Sequence, residues 1–290
     1  MTSATGECER LAAPAKLNLC LRITGRRADG YHLLDSVIVF TDFGDNLTVR
    51  PAGGNGGTDN LDITGPFAAA IMDEPENICL RAISGYRDAG GIIGPLSVTL
   101  DKHIPVGAGL GGGSSNAAAI LRYLDRHAAV RIDPGAMRSL ALDLGADVPV
   151  CLAGSARHMT GIGEQLRPLD TAPHGHVVLA RPETSLSTIT VFREFARMRS
   201  GAGAPRDLPP PPVDPAQIMQ RGNDLAEAAR HLCPDIGDVM DLLAACEAVE
   251  GVQMSGSGSA CFALFPDAKL ASAAAAQLTR KGRWAVATAF

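Results

Sequence analysis

Five glycines and two serines stand close together in residues 105–116, and this stretch is the clearest sign of chemistry in the sequence. Glycine has no Cβ atom, so its backbone reaches positive φ angles and lets N–H groups approach an anion. The apolar residues that follow have helical spacing, and they are Ala117, Ile120, Leu121 and Leu124. We expect Ser114 or Ser115 to cap this helix. Because the N-terminus of a helix favours negative charge, we interpret residues 105–116, the glycine loop, as a cradle for nucleotide triphosphate.

Three other interpretations of the glycine loop compete with this one. A P-loop requires a lysine before its serine or threonine, and none stands there. The spacing of Gly107, Gly109 and Gly112 matches the dinucleotide-binding pattern, which expects an acidic residue about 20 residues later, at the end of a strand. Asp125 lies inside the predicted helix, and Asp133 begins the next one. The third interpretation is a glycine-rich surface turn that binds nothing.

Length and composition limit the class of protein. The chain has 290 residues, enough for two domains, and we place the boundary near Gly154. Its net charge of −5 and isoelectric point near 5.8 argue against nucleic acid or an anionic membrane as the main partner. Seven cysteines without Cys-x-x-Cys spacing are typical of a reducing cytosol and predict neither a zinc site nor a disulfide framework. No run is apolar and long enough to span a bilayer, so we expect a soluble cytoplasmic protein.

A predicted strand near the start of the chain carries two candidate polar residues. Leu17, Leu19 and Leu21 alternate with polar residues, which predicts a strand with one buried face. Lys16 and Asn18 would then lie on the opposite face. The local pattern alone favours a solvated lysine at the end of a strand, although the whole chain contains only four lysines.

Tyr31 and His32 follow a turn at residues 25–30 that is rich in glycine and arginine. An aromatic ring and an imidazole on one loop can stack against a planar base and hydrogen-bond to its edge. Packing of the tyrosine at a domain edge, with its hydroxyl in water, is an equal alternative.

Asp147 stands between the end of a predicted helix, marked by Gly145, and an apolar run at residues 148–152 that we expect to be a buried strand. A carboxylate in this position loses hydration unless a cation or a hydrogen-bond donor holds it. Lys16 is the kind of partner that would hold it. The alternative is an aspartate that only caps the next segment.

The order of the other predicted elements indicates an α+β fold. Strands are expected at residues 36–40, 46–50, 61–64, 96–100, 177–180 and 285–290, with an acidic turn at 41–45 between the first two. Helices are expected at residues 77–89, 134–144, 187–199, 226–232, 236–246 and 268–278. Residues 51–58 and 200–214 are predicted loops, and residues 254–260 form a second glycine–serine loop. Such a loop suits an anion site, although a tight hairpin is its commoner use.

Three motifs, in the same order, resemble those of the GHMP kinase superfamily, named for galacto-, homoserine, mevalonate and phosphomevalonate kinases. They are Pro-Ala-Lys-Leu-Asn-Leu at 14–19, Ile-Pro-Val-Gly-Ala-Gly-Leu-Gly-Gly-Gly-Ser-Ser at 104–115, and Met-Ser-Gly-Ser-Gly-Ser-Ala at 254–260. The resemblance implies a two-domain α+β GHMP kinase fold. Residues 1–154 would resemble domain 2 of ribosomal protein S5, and residues 155–290 would form a ferredoxin-like α/β sandwich. The active site would lie in the cleft between the domains.

Segments at residues 25–34, 144–149, 161–164 and 223–225 resemble the member of this superfamily that phosphorylates cytidine-diphosphate methylerythritol. The implied activity is transfer of the γ-phosphoryl group of ATP to the 2-hydroxyl of this small molecule, with Mg²⁺, in non-mevalonate isoprenoid synthesis. A homoserine or mevalonate kinase is the nearest alternative, and the first of these segments argues against it. A catalytically silent binding protein is disfavoured because both Lys16 and Asp147 are present. A nicotinamide-dependent dehydrogenase is the weakest alternative.

The resemblance also implies roles for individual residues. Asp147 would accept the hydroxyl proton. Lys16 would orient the Asp147 carboxylate and stabilise charge on the transferred group. The ATP-binding residues would be Lys102, Pro105, Gly107, Ala108, Gly109, Leu110, Gly111, Gly112, Gly113, Ser114 and Ser115. The substrate-binding residues would be Asn18, Tyr31, His32, Thr188 and Phe192. The sequence contains no carboxylate cluster that would identify the magnesium ligands, but a serine hydroxyl of the glycine loop is a candidate. We expect a monomer or a homodimer.

Overall fold

The structure is a computed structural model that describes residues 8–53, 57–72, 76–199 and 208–290. In these ranges the chain forms ten β-strands and nine α-helices. The strands are β1 (Glu9–Arg26), β2 (His32–Pro51), β3 (Asn60–Thr64), β4 (Leu96–Asp101), β5 (Arg157–Gly161), β6 (Gln165–Pro168), β7 (His176–Arg181), β8 (Gly251–Met254), β9 (Cys261–Phe265) and β10 (Trp284–Ala289). The helices are α1 (Ile78–Asp88), α2 (Gly112–His127), α3 (Pro134–Leu144), α4 (Val148–Ala153), α5 (Thr188–Met198), α6 (Pro215–Gln220), α7 (Ala226–Leu232), α8 (Asp235–Ala244) and α9 (Ala268–Arg280). The loops predicted at 51–58 and 200–214 lie partly outside the described residues.

The chain folds into two compact units, and each is assembled from separate stretches of sequence. The first unit contains residues up to Ala15, Gly44–Val106 and Gly111–Gly154. The second contains Lys16–Phe43, Gly107–Leu110 and Ser155–Phe290. Strands β1 and β2 therefore each supply residues to both units. The predicted division into residues 1–154 and 155–290 stays a prediction. In the structure, two earlier stretches, Lys16–Phe43 and Gly107–Leu110, pack with the C-terminal half.

The first unit combines part of a sheet with helices α1 to α4. The strand order in this part is β3-β4-β2, in which β4 is antiparallel to β2 and parallel to β3. Asn46 lies opposite Asp101, and Pro51 lies opposite Leu96. The apolar face predicted for α2 is confirmed, because all four of its apolar residues are completely buried. Other buried members of this core are Leu47, Val49, Ile83, Tyr86, Val98 and Leu144.

The second unit contains a four-stranded antiparallel sheet in the order β10-β7-β9-β8, together with helices α5 to α9. All five residues of β9 are buried, as expected for a central strand that is covered on both faces. The first part of β2 also belongs to this unit and pairs antiparallel with β5, which in turn pairs with β6. Buried members of this core include Leu21, Val178, Phe195, Leu225, Ile236, Val239, Leu243, Phe265 and Leu278.

Residues 41–45, predicted as an acidic turn, are instead part of the continuous strand β2, so that prediction was wrong. Asp45 is only 1% exposed. Its Oδ2 accepts a hydrogen bond from Lys102 Nζ at 2.6 Å, and its Oδ1 accepts from the backbone N–H groups of His103 and Ile104, each at 2.7 Å. Partners far away in sequence thus compensate the burial of this carboxylate, and the local turn signal does not decide the structure.

The serine cap predicted for α2 is also wrong. The helix begins at Gly112, and the N-cap residue Gly111 is left-handed with a φ of 65°. Only glycine adopts this conformation without strain, and it turns the chain into the helix earlier than the serines would. Ser114 and Ser115 therefore lie inside the first turn.

The strand predicted at residues 148–152 is the short helix α4. Pro149 in its first turn lacks an N–H group that a helix start does not use, and left-handed Gly154 ends the helix. An apolar run of this length fits a buried helix as well as a buried strand. Asp147 occupies the N-cap position, but its side chain makes no capping hydrogen bond, so its interpretation as a cap is wrong.

The predicted helices at 77–89, 134–144, 187–199, 226–232, 236–246 and 268–278 and the predicted strands at 61–64, 96–100, 177–180 and 285–290 are confirmed to within two residues at each end. Strands β1 and β2 are longer than the strands predicted around residues 17–21 and at 36–40 and 46–50. Asp133 caps α3 by accepting from the backbone N–H groups of its first turn, ahead of Pro134. Strands β5 and β6 and helix α6 were not predicted. Helix α6 begins with the same signal as α3, Asp214 followed by Pro215, so the sequence contained enough information to find it.

Asp45→Asn tests the buried ion pair of the first unit. The amide keeps the size of the carboxylate but leaves the Lys102 ammonium, whose side chain is 4% exposed, without its counter-charge. We expect the free energy of unfolding to fall by about 3 to 5 kcal/mol, measured by chemical denaturation. Asp42 is an exposed aspartate of the same strand, and Asp42→Asn should change this free energy by less than about 0.5 kcal/mol. Equal losses in the two variants would show that the ion pair does not stabilise the unit.

Candidate functional site

Between residues 107 and 111, the glycine loop has a left-handed residue at every second position. Gly107, Gly109 and Gly111 have φ angles of 65°, 74° and 65°, whereas Ala108 and Leu110 between them do not have positive φ angles. Backbone N–H groups in a chain that alternates in this way form a concave surface that binds anions. The loop therefore has the backbone conformation that a phosphate cradle requires.

In the second unit, the second glycine–serine loop packs against the part of the glycine loop that belongs to the same unit. Ala260 N donates a hydrogen bond to the carbonyl oxygen of Ala108 at 2.9 Å, and Ser255 Oγ donates to that of Gly109 at 3.2 Å. A Cβ atom at position 109 would lie 2.6 Å from the carbonyl oxygen of Gly258. Glycine is therefore required there by close packing as well as by conformation.

Lys16 and Asn18 are buried in β1, with 4% and 2% of their surfaces exposed. The predictions of a solvated lysine and of a strand with only one buried face were therefore wrong. Lys16 Nζ donates to Asn18 Oδ1 at 2.7 Å, and Asn18 Nδ2 donates to Ser36 Oγ at 2.8 Å. The backbone N–H of Asn18 donates to Ser255 Oγ at 3.3 Å. A Cβ atom on Gly256 would lie 3.3 Å from Lys16 Nζ, so the second glycine–serine loop covers this face of the strand.

Asn223 holds the second glycine–serine loop in this position. Its Nδ2 donates to the carbonyl oxygens of Met254 and Gly256, each at 2.8 Å, and its Oδ1 accepts from the backbone N–H of Leu225 at 2.9 Å. One amide side chain thus satisfies three backbone groups. The sequence motif at 223–225 contained this residue, but its contacts come from residues about 30 positions away and could not be read from the pattern.

His32 lies against two aromatic rings of α5. Its ring centroid is 5.3 Å from that of Phe192 and 5.6 Å from that of Phe195, the second in an edge-to-face arrangement. Burial, assisted by the nearby Arg26, lowers the pKa of His32 from its usual value of 6.5, so the imidazole is neutral at pH 7. Tyr31 is 61% exposed, which leaves its ring surface open to solvent. Phe195 was not predicted, although it lies three residues after Phe192 on an apolar helix face.

Thr188 is the first residue of α5, and it connects this helix to the second glycine–serine loop. Its Oγ1 lies 2.9 Å from Ser257 Oγ, within hydrogen-bonding distance. Thr188 and Phe192 are four residues apart in the helix, so they lie on the same face. All five predicted substrate-binding residues belong to the second unit, and they are Asn18, Tyr31, His32, Thr188 and Phe192.

In the first unit, Lys102 lies beside the start of α2. Its Nζ is 2.6 Å from Asp45 Oδ2, and a Cβ atom on Gly112 would lie 2.9 Å from Nζ. Burial lowers the pKa of Lys102, although Asp45 opposes this effect. The ammonium group and the N-terminus of α2 both carry positive charge, which a single carboxylate balances only in part. The start of α2 therefore favours a bound anion.

Asp147 is half-buried and directly precedes α4. The backbone N–H of Val148 donates to the carbonyl oxygen of Gly145 at 3.0 Å, so a tight turn joins α3 to α4 and fixes the backbone at Asp147. Lys16 and Asp147 are assigned to different units. The predicted partnership between their side chains stays a prediction.

The described ranges contain neither a cluster of metal ligands nor a membrane-spanning helix. No three His, Cys, Asp or Glu side chains in these ranges are grouped closely enough to hold a metal ion. No helix within them is both long enough and apolar enough to cross a membrane. The amide oxygen of Asn116, a residue that is 2% exposed, has no hydrogen-bond partner among the described residues.

Comparison with known proteins identifies the family. The model for the GHMP kinases N terminal domain matches residues 77–155, and the model for the GHMP kinases C terminal domain matches residues 213–283. The 4-diphosphocytidyl-2-C-methyl-D-erythritol kinase of Paracoccus denitrificans is 45% identical, with 96% of both chains covered. The protein of the same name from Paramagnetospirillum magneticum is 42% identical, with 92% of this chain and 93% of the relative covered.

Solved structures agree with this result. A crystal structure of 4-(cytidine 5'-diphospho)-2C-methyl-D-erythritol kinase superposes with a TM-score of 0.78 at 34% identity, covering 97% of this chain and 98% of that one. A crystal structure of mevalonate kinase from L. major superposes with a TM-score of 0.68 at 11% identity, covering 100% of this chain and 98% of that one. At this low identity the match supports only the shared fold. The predicted α+β GHMP kinase fold is confirmed by these matches. The chain belongs to the GHMP kinase family.

Proposed function

We propose that this protein transfers the γ-phosphoryl group of ATP to the 2-hydroxyl of 4-diphosphocytidyl-2-C-methyl-D-erythritol, giving the 2-phosphate and ADP, in the non-mevalonate route to isoprenoid precursors. The relatives described above are named as kinases of this compound. The structural observation that supports the proposal is the conformation of the glycine loop, whose alternating left-handed glycines lead into the start of α2 and suit a bound anion.

The ATP phosphates are held by backbone N–H groups of residues 107–115. Ser114 and Ser115, in the first turn of α2, add hydroxyl groups to this cradle. Lys102 acts mainly through its charge, because Asp45 holds its Nζ. Phosphoryl transfer needs positioning and charge neutralisation more than covalent help from the protein, and this arrangement supplies both.

Mg²⁺ is the metal that this reaction implies, and the chain has oxygen donors that suit it. Mg²⁺ binds oxygen ligands, keeps several waters and uses substrate phosphates where protein carboxylates are few. The serine hydroxyls of the glycine loop are such donors, and the unpartnered amide oxygen of Asn116 adds another close to them in sequence. When bound, the ion neutralises charge on the phosphates.

Asp147 is the general base of this proposal. Its carboxylate accepts the proton of the 2-hydroxyl as the oxygen attacks the γ-phosphorus atom and the bond to the β-phosphate oxygen breaks. Lys16 stabilises the charge on the transferred group. Asn18 fixes the direction of the lysine ammonium through the 2.7 Å hydrogen bond, and it also lines the acceptor position.

The cytosine of the substrate is bound by the aromatic residues of the second unit. The exposed ring of Tyr31 is available for stacking, and Phe192 supports His32 at 5.3 Å. Because its pKa is lowered, His32 is neutral and offers one donor and one acceptor to the edge of the base. Thr188 completes the pocket from the start of α5.

The cytoplasm is the compartment that we infer for this reaction. All seven cysteines are free thiols. Burial raises the pKa of Cys20 to about 11 and that of Cys79 to about 12, so these thiols stay protonated. Buried, protonated thiols are typical of proteins from a reducing compartment. A monomer or a homodimer stays a prediction.

The test of this function is ADP release from ATP and Mg²⁺ with three acceptors: 4-diphosphocytidyl-2-C-methyl-D-erythritol, homoserine and mevalonate. We expect turnover with the cytidine compound alone. Turnover with another acceptor only would keep the kinase fold and remove the roles of Tyr31 and His32. Absence of turnover with all three would favour the silent binding protein.

Asp147→Asn should abolish most turnover while preserving ATP binding. The amide cannot accept the hydroxyl proton, and loss of a general base lowers kcat by roughly 10² to 10⁴-fold. Single-turnover kinetics and equilibrium ATP binding measure the two quantities. The matched control is Asp143→Asn, because Asp143 is an exposed aspartate near the end of α3 and should leave kcat unchanged. Normal turnover by Asp147→Asn would exclude this residue as the base.

Tyr31→Ala should weaken binding of the cytidine substrate and leave the KM for ATP unchanged. Stacking of a base on an aromatic ring contributes roughly 1 to 3 kcal/mol, so the KM for the acceptor should rise about 5 to 150-fold. Tyr31→Phe keeps the ring and serves as the control, with a KM close to that of the native protein. An unchanged KM in Tyr31→Ala would remove this residue from the pocket.

A further inference from the structure

A cavity of about 450 Å³ lies among α2, α3 and α4 of the first unit. Its volume is within the range of small-molecule sites, roughly 300 to 1,000 Å³. None of its lining residues belongs to the glycine loop or to the residues assigned above to ATP and acceptor binding. The cavity therefore requires an explanation of its own.

Three guanidinium groups and one carboxylate line this cavity. Arg122, Arg126 and Asp125 come from α2, and Arg138 comes from α3. Arg126 forms an ion pair with Glu9 at 2.5 Å, which balances its charge. The cavity is thus positively charged in a protein whose net charge is −5.

Arg122 and Arg138 have no carboxylate partner at ion-pair distance within the described part of the chain. Arg122 is half-buried, and its Nη1 donates to the backbone carbonyl oxygen of Cys151 in α4 at 2.7 Å. Burial lowers its pKa, and the neighbouring Arg126 adds to this effect. A desolvated guanidinium group that donates to a neutral carbonyl oxygen retains most of its attraction for an anion.

The rest of the lining is aliphatic. Leu121 of α2, Met137 of α3 and Leu152 of α4 contribute apolar surface, and no aromatic ring lines the cavity. The cavity therefore offers no ring on which a planar base could stack. An aliphatic chain, in contrast, gains free energy on such a surface in proportion to the area buried.

We propose that this cavity is a second ligand site, for an organic phosphate that carries an aliphatic chain. Arg122 and Arg138 bind the phosphate, whose oxygen acceptors match the forked donors of guanidinium groups. The apolar residues from the three helices bind the chain. The site is separate in its residues from the glycine loop, so the proposal does not depend on the function proposed above.

Isothermal titration of the full chain with hexyl phosphate tests this site. Ethyl phosphate has the same head group with a shorter chain, and 1-hexanol has the chain without the charge. We expect hexyl phosphate to bind at least tenfold more tightly than either compound. Addition of ADP and Mg²⁺ should leave this affinity unchanged. Equal affinity for hexyl and ethyl phosphate, or competition by ADP, would overturn the proposal.

Variants locate the binding to the cavity. Arg138→Gln should weaken hexyl phosphate binding at least fivefold, because it removes an exposed guanidinium group without disturbing the core. Arg122→Gln should weaken it further, and Arg138→Gln decides the question alone if that variant does not fold. Arg131 is an exposed arginine that does not line the cavity, and Arg131→Gln is the matched control with unchanged affinity. Equal losses in Arg131→Gln and Arg138→Gln would show that only overall charge matters, and would reject the site.

Discussion

Two hydrogen bonds made by the hydroxyl group of Ser255 are the interactions on which the arrangement of β1 and the glycine loop in the second unit depends. The hydroxyl accepts a hydrogen bond from the backbone N–H of Asn18 and donates one to the carbonyl oxygen of Gly109. A single completely buried side chain thereby fixes the spacing between the strand that carries Lys16 and the glycine loop. Close-packed interiors do not absorb an extra methyl group without a shift. The missing Cβ atom at position 109 is therefore as much a part of this contact as the hydroxyl itself.

The first unit holds two partly desolvated cations, Lys102 and Arg122, through different kinds of partner. Lys102 has a carboxylate partner, Asp45, and this ion pair stands beside the positive end of α2. Arg122 instead donates to a backbone carbonyl oxygen, that of Cys151. In both cases the protein has already removed part of the hydration of the cation, so an incoming anion meets a group that is fixed and partly dry. Preorganisation of this kind makes electrostatic attraction stronger than it is in water.

The sequence predicted those features that depend on local periodicity or on a single residue type. The apolar face of α2, the Asp133-Pro134 start of α3 and the positive φ angles in the glycine loop follow from spacing and from the absence of side chains. Features that depend on distant partners were not predictable. Asp45 resembles a turn residue until Lys102 and its neighbours are brought to it. The burial of Lys16 could not be predicted for the same reason, because the loop that covers it lies about 240 residues later in the chain.

The division of β1 and β2 between the units has a consequence for synthesis of the chain. Residues 16–43 belong to the second unit, and the last strand contributes to their contacts, because the backbone N–H of Phe43 donates to Thr288 Oγ1, 245 residues later. At about 5 to 20 residues per second, a ribosome needs roughly 10 to 50 s to make the intervening chain. During that time Leu21, a buried member of the core of the second unit, lacks its partners from the C-terminal half. The contact between Phe43 and Thr288 therefore joins parts of the second unit that are synthesised at widely separated times.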